Sequence, residues 1–100
     1  MPTVTQVLTV QPAPGKFQQC LELGRKWKKI RERAGAKERM YTNTGGALFI
    51  VIETPGWKEF GEIIAKVRAD RDAQALLAEM QSNSSPVGTI VNVDLVEEVD

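Results

Sequence analysis

The chain has no histidine and only one cysteine, Cys20. The first absence removes Ser/His/Asp and Cys/His catalysis, histidine-bearing zinc sites and a histidine-ligated haem. The second excludes an internal disulfide and every multi-cysteine metal motif. Aromatic residues are scarce at 6 %, with one tyrosine and two tryptophans. No apolar run approaches the ~20 residues that a bilayer span needs, and the opening Met1-Pro2-Thr3-Val4 lacks a basic region followed by an apolar one. The expectation is a cytoplasmic protein with no membrane partner, no metal and no resident cofactor.

An excess of either charge sign is also missing, since 13 Lys/Arg balance 13 Asp/Glu. The charge is nevertheless uneven: residues 1 to 52 hold nine basic groups against three acids, and residues 53 to 100 hold four against ten. Most of the basic groups lie between Lys16 and Arg33 and alternate with apolar positions. That is the pattern of a solvated helix face, so no nucleic-acid partner is expected.

What is present is the material of one globular domain spanning residues 1–100, with 42 % apolar and 26 % charged residues. A chain of this size buries only roughly 60 to 65 % of the surface exposed when it is unfolded, so a second copy is an attractive source of further burial. The stretch from Met40 to Glu53 organises the rest. Asn43-Thr44-Gly45-Gly46 supplies turn chemistry between two arms, Ala36 to Thr44 and Ala47 to Thr54, which predicts a β-hairpin. In the second arm Leu48, Ile50 and Ile52 alternate with Phe49 and Val51, so both faces are apolar and both need a cover. The register stays open: a Gly45-Gly46 loop sets Tyr41 beside Ile50, and a three-residue loop reverses that relation.

Around the hairpin, Thr3 to Val10 alternates as a β-branched strand. Phe17, Cys20, Leu21, Gly24, Trp27, Ile30 and Ala34 form one stripe on a helix of about five turns, with Gly24 admitting a close neighbour and Gly35 stopping the helix. Thr54-Pro55-Gly56 reads as a cap-and-proline opening to a second helix carrying Trp57, Phe60, Ile63, Ile64 and Val67. Asp70 caps a further segment bearing Ala73, Leu76, Leu77 and Met80. After a polar loop, Val87 to Val96 alternates again, with Ile90, Asn92, Asp94 and Val96 on one face. The order is βαββαβ, the α+β ferredoxin-like arrangement in which both helices cover one side of a four-stranded antiparallel sheet. Val7, Ile90, Val96 and one set from the third strand are then expected on the bare side.

Three features carry a family resemblance: the strand ending in Val10 that passes through Pro14-Gly15-Lys16 into an amphipathic helix, the apolar strand closing in Ile52-Glu53, and the segment Asp70 to Met80. With these the chain resembles the dimeric α+β barrel superfamily, which includes antibiotic-biosynthesis monooxygenases and NIPSNAP-like proteins. The resemblance implies a homodimer whose sheets pack face to face, with a small-molecule pocket in each subunit between sheet and helices. It also implies cofactor-independent oxygenation of an aromatic or polyketide-like compound, with a non-catalytic binding or interaction dimer as the alternative. The absence of histidine argues against haem degradation. Such oxygenation needs a dry pocket that stabilises an enolate beside dioxygen.

The pocket candidates are Tyr41, Asn43, Trp57, Asn92 and Asp94. Each also has a plain structural reading: cross-strand packing for Tyr41, turn chemistry for Asn43, a helix-start staple for Trp57 and a solvated edge for Asn92 and Asp94. Trp27 and Cys20 sit on the helical stripe and are expected to be core, with the thiol inert. Asn83-Ser84-Ser85 matches a glycosylation pattern and, without a secretion signal, is taken as a chance match. A third reading starts from Met1-Pro2: removal of the methionine would expose a secondary amine of the kind tautomerases use, although no arginine follows where those enzymes bind a carboxylate.

Overall fold

The computed structural model describes residues 2–100. Its elements run β1 (Val4–Pro12), α1 (Phe17–Arg33), β2 (Lys37–Thr42), β3 (Leu48–Thr54), α2 (Trp57–Ala69), α3 (Arg71–Ser82) and β4 (Gly88–Glu97). The four strands form one antiparallel sheet in the order β2-β3-β1-β4, so the long apolar strand β3 and strand β1 take the two inner places. This is the ferredoxin-like α+β arrangement expected from the sequence, with the second helical region divided in two.

The division is made by Asp70, as its position before an apolar stripe suggests. Its Oδ1 accepts hydrogen bonds from the backbone N–H of Asp72 and Ala73 at 2.8 and 3.2 Å, which caps α3. The same carboxylate receives Arg33 from the end of α1 at 2.8 Å, and Arg33 also reaches Asp72 at 2.9 Å. Gly35, with φ of +114°, takes the left-handed step that ends α1. The start of α2 differs from expectation. Thr54 remains in β3 and donates its hydroxyl to the Val4 carbonyl at 3.1 Å, and Gly56, not a threonine side chain, stands at the helix entrance.

The pleat assigns the faces. Leu48, Ile50 and Ile52 of β3, with Leu8 and Val10 of β1, point to the helices and form the core with Cys20, Ala34, Ala36 and Ile63. A second cluster, Ile30, Ala73 and Leu76, locks α3 onto α1. Asn43 N–H bonds to the Ala47 carbonyl, so the hairpin has a three-residue loop and Tyr41 faces Phe49 rather than Ile50.

One expectation about the bare side is corrected. The β1/β4 register shifts between Thr9 and Val10, because Thr9 pairs with Asn92 while Val10 pairs with Ile90. Val91 is the extra residue of this bulge, and it returns Ile90 to the helix-facing side with Val93 and Leu95. The bare face therefore presents Val7, Phe49, Val51 and Val96, together with Tyr41, Asn92 and Asp94 and with Lys37, Arg39, Glu53, Thr5 and Thr9.

The molecule is a plate, 41 × 33 × 17 Å along its principal axes, with one layer of helices on one layer of sheet. Its accessible surface is 6680 Å². A folded monomer of this mass typically exposes about 5,700 Å², so roughly 1,000 Å² is in excess. Much of it lies on β4, where Ile90, Val91, Val93, Leu95 and Val96 are all 42–60 % exposed.

Candidate functional site

A chamber of about 240 Å³ opens between the helices and the sheet. Its floor is Leu8 and Val10 of β1 with Leu48 and Ile50 of β3. One wall is the stripe of α1, where Cys20, Gly24, Trp27 and Arg31 recur every three or four residues with Leu23 beside them. Leu77 and Met80 of α3 overhang it, and Val87, Gly88 and Ile90 close the end beside β4. Two glycines set its width. A Cβ on Gly24 would lie 3.0 Å from the Met40 sulfur, so α1 sits close to β2. A Cβ on Gly88 would meet the Cys20 sulfur at 2.9 Å and the Gln11 carbonyl at 3.1 Å, so only glycine lets β4 begin here.

The lining is apolar with one charged exception. Arg31 lies at the far end of the α1 stripe, its guanidinium 5.5 Å from the centre of the Trp27 ring. Its Nη1 donates to Glu38 Oε1 at 2.9 Å. Strand β2 turns Glu38 inward with Met40 and Thr42, opposite Ile52, and the carboxylate side chain has no solvent exposure. Glu38 Oε2 has no hydrogen-bond partner among the described residues. Burial raises the Glu38 pKa above the ordinary carboxylate value, and the charge and hydrogen bond of Arg31 offset part of that rise. Burial likewise raises the Cys20 pKa, which keeps the thiol protonated and unreactive. Arg31 also borders a second space of about 180 Å³, lined by Gln6, Ile52, Thr54, Phe60, Ile63 and neighbouring groups of α2, so its side chain stands between two cavities.

None of the five sequence candidates lines this chamber. Tyr41, on β2, and Asn92 and Asp94, on β4, share the bare face of the sheet but occupy opposite edge strands, about 14 Å apart at normal strand spacing. Asn92 donates to Asp94 at 3.0 Å. Asn43 accepts the Ala47 N–H through its side chain and so serves the hairpin loop. Trp57 packs edge-on against Phe60 and donates its indole N–H to Glu97 at 3.1 Å. Two residues expected to be core, Trp27 and Cys20, are the ones that face the chamber.

Arg31 and Glu38 were legible only in part. Arg31 lies four residues after Trp27 and three before Ala34, a charge in the apolar phase of the helix. The inward turn of Glu38 follows from the hairpin register, which the sequence leaves open. Pro2 borders a shallow depression with Glu97, Glu98, Val99 and Asp100, which would repel a carboxylate substrate, and Met1 lies outside the described residues. Among the described residues no group of three His, Cys, Asp or Glu could hold a metal ion, and no helix is long and apolar enough to cross a membrane.

The chamber provides an apolar body site and one guanidinium where negative charge can rest. No protein-family model matches the chain, and no curated protein matches it in sequence. Solved structures do match in shape. A NIPSNAP domain protein from Burkholderia xenovorans superposes with a TM-score of 0.71 at 14 % identity, over 97 % of this chain and 93 % of its own. A NIPSNAP family protein from Agrobacterium tumefaciens gives 0.71 at 14 % identity over 97 % and 91 %. A Chloroflexus aurantiacus protein described as an antibiotic biosynthesis monooxygenase gives 0.70 at 9 % identity over 98 % and 94 %. The chain thus has, over nearly its whole length, the ferredoxin-like fold of the NIPSNAP and antibiotic-biosynthesis-monooxygenase-like proteins.

Proposed function

We propose that the protein works as a homodimer that takes a small aromatic or polyketide-like molecule into the chamber between sheet and helices and oxygenates it without a cofactor. The chamber carries this reading: its floor and helical wall are apolar groups, which favour an apolar guest, and its single charged group can stabilise an oxyanion formed on that guest. Dimerisation is supported by the excess surface of roughly 1,000 Å², comparable to the ~800 Å² that each partner contributes to a standard interface. A second copy laid on this side of the sheet would cover Val7, Phe49, Val51 and Val96 and meet the charged groups Lys37, Arg39 and Glu53 around them.

Oxygen uptake with quinol-type substrates tests the activity. Saturable uptake that falls at least tenfold when Met80→Trp fills the chamber supports oxygenation. A guest that binds without oxygen uptake by any quinol would favour the second reading, a binding protein without chemistry. One observation favours that reading: Glu38 accepts a hydrogen bond from the chamber's guanidinium at 2.9 Å.

A further inference from the structure

We propose that the guest of the chamber is an amphipathic organic acid, with an apolar body of about two rings' size and a carboxylate or phenolate oxygen seated on the guanidinium of Arg31. This rests on the chamber being the ligand site, as proposed above, and goes on to name the chemistry the site selects.

Three observations carry it. First, thirteen of the fourteen residues bordering the chamber are uncharged, so a guest's ionised group has one favourable place to go. Second, that place is built. The Arg31 side chain is 19 % exposed, rests on the Trp27 ring and is anchored through Nη1 alone, leaving Nη2 and Nε without a protein hydrogen bond among the described residues. A guanidinium held on one edge offers its other edge to a second oxyanion in the bidentate manner that arginine favours. Third, Glu38 is the right counter-group. Besides Arg31, the charged groups that act on it are Lys28 and Glu32 of α1, and its Oε2 has no hydrogen-bond partner among the described residues. Because burial already favours its neutral form, an arriving anion can be met by a proton taken up on Oε2 instead of by repulsion between two carboxylates.

The test uses the purified full-length protein and the neutral fluorescent probe N-phenyl-1-naphthylamine, displaced by a matched pair, 1-naphthoate and 1-naphthamide. The expected result is probe binding that Met80→Trp abolishes, with naphthoate displacing the probe at least tenfold more effectively than naphthamide. Arg31→Gln combined with Glu38→Gln, which keeps a neutral hydrogen-bonded pair, should bring the two competitors to parity while probe binding persists. Exchange of the exposed helix cations, Lys26→Gln with Lys29→Gln, should leave the preference intact. Equal displacement by the pair in the wild type, or loss of the preference in the lysine variant, would overturn the anion site and leave the chamber standing. Failure of the folded protein to bind the probe or either competitor would overturn the chamber reading and this inference together.

Discussion

Replacing Arg31 with leucine isolates the energetics of the buried pair. The Glu38 side chain has no solvent exposure, and its single hydrogen-bond partner among the described residues is Arg31 at 2.9 Å, so Arg31→Leu leaves a buried carboxylate without a hydrogen-bonded counter-charge. Such losses run at about 3–5 kcal/mol. An independent bound comes from the alternative open to the variant, which is to fold with Glu38 protonated. From an ordinary pKa of 4.5 to about pH 7, at about 1.4 kcal/mol per unit, that costs about 3.5 kcal/mol, so the variant should lose about 3–4 kcal/mol near neutrality.

The sign of the pH dependence follows. A carboxyl whose folded pKa is raised contributes its stability fully below the unfolded value, near 4.5, and loses it as pH climbs through the folded value. The penalty of Arg31→Leu should therefore shrink to about 1 kcal/mol near pH 4.5, the remainder reflecting the lost stacking on Trp27. Urea titrations of the wild type, Arg31→Leu, Glu38→Leu and the double variant, at constant protein concentration and several pH values, provide the assay. The double variant should recover most of the loss, since an apolar pair of similar volume often equals or exceeds a buried ion pair. A single-variant penalty under 1 kcal/mol at pH 7.5, or one that does not vary with pH, would refute the reasoning.

Two further outcomes are expected. Asp70→Ala should lower the denaturation midpoint more than Asp72→Ala, because Asp70 both caps α3 and receives Arg33, and Asp70→Asn should restore the capping part. Arg33 and the α3 amides hold the Asp70 pKa below its ordinary value, so this contribution should be present above about pH 4 and fade as pH falls through the lowered pKa, which acid titration of the midpoint would check. Gly24→Ala should raise stability by up to about 1 kcal/mol, because alanine favours the helix and the flexible Met40 thioether, 3.0 Å from the new methyl, can give way; a lower midpoint would show that the contact is rigid.

Local chemistry made much of the fold readable in advance. The stripe of α1, the two-faced strand β3 and the Asp70 cap each depend on residues within a few positions of one another, and each appears where its pattern put it. Features that depend on distant pairing were not readable. Val91 becomes a bulge only because Val10 pairs with Ile90 and Thr9 with Asn92, and that slip moves Ile90 from the bare face to the chamber. Glu38 is buried only because a three-residue hairpin loop sets it opposite Ile52. Polarity misled for the site: Asn92 and Asp94 interrupt an apolar strand, but their phase, like that of Tyr41, is that of the bare face, whereas the chamber is lined by what reads as ordinary core.

That bare face bears most directly on the account, because a plate 17 Å thick whose uncovered side carries an apolar strip of Val7, Phe49, Val51 and Val96 is proposed to be half of an assembly. Sedimentation equilibrium of the wild type and of Val51→Arg, from nanomolar to ~100 µM chain, measures it. The wild type should sediment at twice the 11.1 kDa chain mass across the micromolar range, and Val51→Arg should give a folded single chain. A wild type that stays at 11.1 kDa up to ~100 µM, with its cooperative unfolding unchanged, would contradict the account.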